Sequence, residues 1–211
     1  MGKTVKPRLK EPPQHPIRPV MLEAFKECPV VPSLRREDQF PLLLKNRSRV
    51  VLISSGSIFT ICNFSKQLHQ HNKLVLVHID LIGGLGRDQT AVRFLKEMAE
   101  VDGIVSPHCQ VITAGRKEGM LTVHRLFAYD SPSVETGIKV LQKANPDFIE
   151  VLPGLAVLPT ISCLRQHFKQ PIIAAGLIKT PTEVRRVIRA GAVAVDTSAE
   201  ELWNLDPKDI Y

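Results

Sequence analysis

Two segments near the C-terminus hold the residues whose types and spacing best suit chemistry, IIAAGLIKT (172–180) and AVDTSAEELW (194–203). In the first, Gly176 follows a β-branched run between Ala175 and Leu177. Backbone can approach a ligand there without a Cβ in the way. In the second, the hydroxyls of Thr197 and Ser198 come just before a short predicted helix that starts with Glu200 and Glu201. Hydroxyls and free N–H groups at a helix start attract anions. A structural reading also fits, because Ser198 and Glu201 are spaced as a capping box. The neighbouring glycine loop favours phosphate binding, which requires the two glutamates to point away.

Polar residues also close the apolar runs upstream. They are His78 and Asp80, Ser106 and His108, Arg125 followed by Asp130–Ser131, and Glu150 ahead of Pro153–Gly154. A buried charge needs a partner. Arg125, Asp80 and Glu150 therefore either satisfy one another as a structural cluster or face a ligand, and the two roles are compatible.

The elements that must position these groups alternate two periods. Short apolar runs at 50–54, 74–80, 103–106, 121–128, 147–152, 171–178 and 192–195 suit strands buried on both faces of a parallel sheet. A weaker eighth strand fits residues 22–26, followed by a helix from about Ser33 to Lys45. Amphipathic stretches lie between the runs. Val92, Leu95, Met98 and Ala99 make one helix face, and Val184, Val187 and Ile188 another, the latter opposite Arg185, Arg186 and Arg189. Eight strands alternating with helices predict an α/β fold, a compact (β/α)8 TIM-type barrel, with chemistry at the C-terminal ends of the strands. An open doubly wound sheet is the runner-up, but no GxGxxG follows the first strand.

Bulk properties agree with one globular unit over residues 21–211. The chain has 211 residues, 44% hydrophobic and 23% charged. Its four cysteines are scattered without a disulfide or zinc spacing, and no apolar stretch is long enough to span a membrane. A cytoplasmic, reducing setting is expected. The net charge is +7, yet residues 1–20 hold five basic residues against one acid, together with five prolines. A flexible, disordered basic tail over 1–20 is therefore expected outside the fold.

Six segments in order carry a more specific signal: VHIDLIGGL (77–85), DGIVSPH (102–108), VHRLFAYDS (123–131), PDFIEVLPG (146–154), IIAAGLI (172–178) and AGAVAVDTSAEELW (190–203). Together they resemble the glycerol uptake operon antiterminators, regulators responsive to glycerol 3-phosphate. The resemblance covers roughly residues 22–203. It implies a phosphate-binding barrel that takes glycerol 3-phosphate as effector, binds the leader mRNA of glycerol-utilisation genes and prevents premature termination, without catalysis, cofactor or metal. Matched positions are Asp80, Arg125, Asp130, Ser131, Glu150, Pro153, Gly154, Gly176, Thr197 and Ser198. Three positions depart from the family pattern. Ala175 replaces a glycine, His108 a lysine or arginine, and His124 a glutamine. A histidine there is a weaker cation than the lysine or arginine it replaces.

On this reading the ligand site comprises Ala175, Gly176, Leu177, Thr197, Ser198, Asp80, Arg125, Glu150 and His108. The cradle takes the phosphate, and Asp80 or Glu150 takes the hydroxyls. RNA needs a basic surface, for which Lys179, Arg185, Arg186 and Arg189 are the first candidates, with Arg35, Arg36, Lys45, Arg47 and Arg49 behind them. Aromatic residues make up only 5%, so base stacking is not evident. The alternative is a barrel enzyme on a small phosphorylated substrate, of isomerase, aldolase or phosphodiesterase type. His78, Asp80 and Glu150 offer metal-ligand chemistry. A Schiff-base aldolase needs a strand lysine, and the runs after residue 50 hold none in mid-strand. A scaffold that has lost its ligand is a third reading. Pairing into a homodimer is a further expectation.

Overall fold

A computed structural model describes residues 13–211 of the chain. Helix α1 (Ile17–Glu27) comes first. Eight strands then alternate with seven helices: β1 (Val30–Leu34), α2 (Phe40–Lys45), β2 (Val50–Ile53), α3 (Ile61–Gln70), β3 (Leu74–His78), α4 (Gln89–Glu97), β4 (Gly103–Ser106), α5 (Cys109–Lys117), β5 (Leu121–Phe127), α6 (Ser131–Ala144), β6 (Phe148–Leu152), α7 (Val157–His167), β7 (Ile172–Ala175), α8 (Pro181–Arg189) and β8 (Ala194–Thr197). Each strand pairs in parallel with the next, and β8 closes on β1 through Val31 opposite Asp196. The result is the expected closed eight-stranded barrel. After β8 the helical layer shrinks to short 3-10 turns, including Glu200–Leu202.

The start of the fold differs from the sequence reading. Residues 22–26 are not a strand but the middle of α1, where Met21, Ala24 and Phe25 are buried at helical spacing. The first strand lies later, at Val30–Leu34. Two prolines, Pro29 and Pro32, disguise it, because proline cannot donate to the ladder and reads as a strand breaker. The expected boundary between tail and domain at residue 20 falls inside α1. Residues 1–12 of the expected tail lie outside the described residues. Met98 also departs from its expected inward face, being 66% exposed, whereas Val92, Leu95 and Ala99 are buried.

One apolar cluster fills the barrel: Val31, Val50, Leu52, Leu76, Val105, Leu121, Val123, Phe148, Ile173 and Ala194, with Met21, Ala24 and Phe25 of α1 packed against them. Phe25 meets Phe148 edge to face at 5.9 Å, so α1 closes the N-terminal end. Two further clusters hold the helices to the outside of the sheet. The four cysteines are free thiols. Among the described residues, no helix is long and apolar enough to cross a membrane.

Candidate functional site

Side chains alternate across a strand with a period of two. Two residues beyond the apolar layer, that period brings a polar layer to the barrel mouth: Ser33 from β1, His78 from β3, Arg125 from β5, Glu150 from β6 and Asp196 from β8. Arg125 and Glu150 sit opposite each other in the β5–β6 register. Arg125 donates through Nε to Glu150 Oε2, and through Nη2 to Asp196 Oδ2 at 3.3 Å. One buried cation therefore lies between two buried carboxylates. Burial disfavours the Arg125 charge, but the two carboxylates outweigh it and hold its pKa above the usual value. Burial, reinforced by repulsion from Glu150, pushes Asp196 up to about 8 despite Arg125. Burial and the positive field of Arg125 push His78 down to about 3, so its imidazole is neutral.

A second cluster forms at the rim beyond β3. Asp80 accepts from Ser106 Oγ at 2.7 Å, and its other oxygen lies 2.7 Å from Arg87 Nε and 3.3 Å from His108 Nε2. His108 is thereby held against Asp80, and Arg87 supplies a permanent cation beside it. His78 Nδ1 is 3.8 Å from Asp80. Among the described residues, no three His, Cys, Asp or Glu side chains are grouped to hold a metal ion.

The cradle lies between β7 and β8, where the two loops enclose a cavity of about 510 Å³. Gly176 (φ 75°) and Leu177 (φ 59°) both take left-handed backbone, turning the chain sharply after β7. The amides of Leu177, Ile178 and Ser198 donate no hydrogen bond among the described residues. Ser198 is exposed on the cavity wall, and its hydroxyl has no partner among the described residues. The capping-box reading of Ser198 and Glu201 does not hold, because the 3-10 turn starts at Glu200 with Ala199 at its N-cap and no side-chain cap. A capping box does form at α8, where Thr180 and Glu183 seal the helix start. The donors left free beside the cavity are thus those of the loops, not the α8 terminus.

Thr197 serves as a strut. Its hydroxyl donates to the Ile178 carbonyl at 2.8 Å and accepts from the Ala199 amide at 3.1 Å, tying the loops together. The Trp203 indole donates to the Thr197 carbonyl at 2.9 Å. Ala175 lies within β7, buried and outside the left-handed region, so the position needs no glycine. Glu200 is turned away toward Gln39 and Arg36, as phosphate binding requires. Glu201, by contrast, stands on the cavity wall.

Of the residues picked from sequence, Gly176, Leu177, Thr197, Ser198, Arg125 and Lys179 meet at this cavity. Ala175, Asp80, Glu150 and His108 do not line it, although Glu150 acts on it through Arg125. Lys179, expected on an RNA surface, is exposed and also lines the cavity. Arg185 is tied to Thr182 Oγ1 and the Asp209 carbonyl, while Arg186 and Arg189 are exposed on α8. Ser33, Arg35 and Asp196 line the cavity but were absent from the expected ligand set, and Arg87 was missed at the rim. Ser33 and Arg35 follow from β1, the strand whose place the prolines obscure. The Arg35 guanidinium has no partner among the described residues.

A family model described as "Glycerol-3-phosphate responsive antiterminator" matches residues 30–203, from the first strand to the turn after the last. The chain belongs to that family. A crystal structure of the glycerol uptake operon antiterminator regulatory protein from Listeria monocytogenes is 31% identical, with a TM-score of 0.79 over 83% of this chain and 95% of that one. A glycerol uptake operon antiterminator-related protein from Thermotoga maritima is also 31% identical, with a TM-score of 0.74 over 82% and 96%. The Escherichia coli (strain K12) "Uncharacterized protein YgcP" is 31% identical over 188 residues, 89% of this chain and 98% of its own. Membership of the family supports a regulatory role, and the matched segment contains both cradle loops and the whole polar layer.

Proposed function

We infer that this chain is a cytoplasmic sensor of glycerol 3-phosphate, which binds the leader mRNA of glycerol-utilisation genes and prevents premature termination when the ligand is bound. The observation that carries this reading is the cradle itself. Unpaired amides at Leu177, Ile178 and Ser198 and the free Ser198 hydroxyl share one cavity with the cations Arg35 and Lys179. Backbone donors and a hydroxyl facing a cation are what a phosphate monoester needs. Ser33, Arg125 and Asp196 give the same cavity polar contacts for hydroxyls.

The RNA surface is best assigned to the wall formed by α6, α7 and α8. Lys139, Lys143, Arg165, Lys169, Arg185, Arg186 and Arg189 project from this stretch, against only Glu135 and Glu183 among its exposed or half-buried acids. Such a wall can neutralise a run of backbone phosphates. The ligand loop runs directly into α8, so ordering the loop biases that helix. A role in turnover has less support, since none of the eight strands carries a lysine.

The reading is checked by thermal unfolding of the full chain with and without glycerol 3-phosphate. Saturating ligand is expected to raise the midpoint by several degrees, about 2.7 kcal/mol of stabilisation at a hundredfold excess over Kd. No shift would remove the sensor reading.

A further inference from the structure

Among the described residues, one oxygen of Asp196 at the floor of the cavity lacks a well-formed hydrogen bond, with Ser33 and Glu150 the side chains that bear on the carboxyl. Asp196 lines the cavity with its side chain only 7% exposed, and Oδ2 is engaged by Arg125. Oδ1 has no hydrogen-bond partner. Native proteins seldom leave such an atom unsatisfied, and one at a binding site calls for an occupant. Of the other carboxylates, Glu201 stands exposed on the cavity wall, Arg125 takes Glu150, and Asp80, whose Oδ1 also lacks a hydrogen bond, lies outside the cavity among Ser106, Arg87 and His108.

The distance to the anion-binding groups also fits. Ser198 follows Asp196 by two residues, and extended chain rises roughly 6.6 Å over that interval. This is the scale of a phosphate and the adjacent carbons of a three-carbon ester. A molecule held by phosphate at Ser198 and the Leu177 and Ile178 amides therefore directs its neighbouring carbons toward Asp196, and Ser33 and Arg125 line the same cavity.

We propose that Asp196, through Oδ1, contacts the C-2 hydroxyl of the ligand and is the residue that selects a polyol phosphate over its 2-deoxy analogue. A hydroxyl both donates and accepts, so it satisfies Oδ1 in either protonation state of the acid. A methylene satisfies neither and leaves the buried oxygen unpaired, which is the strongest way a small site rejects an analogue. This assignment rests on the reading of the site as a glycerol 3-phosphate cradle.

The test is calorimetric titration of the full chain at pH 7 with glycerol 3-phosphate, 1,3-propanediol monophosphate and inorganic phosphate. The unsubstituted chain is expected to prefer glycerol 3-phosphate over the deoxy analogue by about tenfold or more. In Asp196→Ala the preference should collapse to within about twofold. Equal affinity for the two esters in the unsubstituted chain overturns the assignment whether or not the variant folds, and so does a preference that survives in Asp196→Ala. Failure of all three compounds to bind would instead strike at the cradle reading itself, and the assignment would fall with it.

Discussion

The Thr197 hydroxyl donates to the Ile178 carbonyl at 2.8 Å, bridging the end of β8 to the loop that leaves β7. The same oxygen accepts from the Ala199 amide, so one side chain fixes the spacing between both walls of the cradle. Thr197→Val keeps the shape but leaves a carbonyl and an amide unpaired. We expect a loss of about 1–3 kcal/mol in denaturant unfolding, together with weaker binding of glycerol 3-phosphate. Unchanged stability and affinity would show that the loops hold their spacing without the strut.

Buried titratable groups make stability depend on pH in two opposing ways. Burial holds His124 down to about 4, with a smaller contribution from His108, and holds His78 down to about 3. The unfolded chain binds these protons near pH 6.5, so stability falls as pH drops below that value. Asp196 is raised to about 8, so the folded state carries a proton that the unfolded chain releases near pH 4. Its contribution is lost as pH climbs from about 4 to 8. His124→Gln, with the residue usual in the family, should retain about 2 kcal/mol more than the parent between pH 7.5 and pH 5. Asp196→Asn should flatten the decline on the alkaline side. Denaturant midpoints across pH 5–9 measure both. Parallel profiles for parent and variants would mean that these groups are not titrating as their surroundings dictate.

Charge reversal tests the wall assigned to RNA. Arg186 and Arg189 are exposed on α8 and form no ion pair among the described residues. Arg186→Glu combined with Arg189→Glu should weaken leader RNA binding, and the slope of log affinity against log salt should become shallower by about 1–2. The thermal shift with glycerol 3-phosphate should persist. An unaltered salt slope would place the RNA elsewhere on the barrel.

What could be read from sequence followed the strength of local patterning. Seven strands were legible because β-branched runs buried on both faces leave an unbroken apolar signal. The eighth is hard to place because Pro29 precedes β1 and Pro32 interrupts it, while α1 offers a short apolar run that resembles a strand. That single error hid Ser33 and Arg35, since both are positioned by β1. The Ser198–Glu201 spacing suits a cap or an anion site equally well, and only the place of Ala199 at the N-cap of the 3-10 turn separates them. Sequence also identifies the acids at strand ends without revealing which one is left over. Asp80 and Asp196 each keep one oxygen without a hydrogen bond, but Arg87 and His108 stand against that of Asp80, and of the two acids Asp196 lines the cavity.

On the proposed reading, occupancy of the cradle controls RNA binding. Titration of leader RNA against the parent chain and Ser198→Asp, each with and without glycerol 3-phosphate, tests it most directly. A carboxylate at position 198 repels phosphate at close range. Ligand is expected to tighten RNA binding by the parent about tenfold or more, a typical allosteric coupling, and to leave Ser198→Asp unchanged. Equal RNA affinity of the parent with and without glycerol 3-phosphate would contradict it.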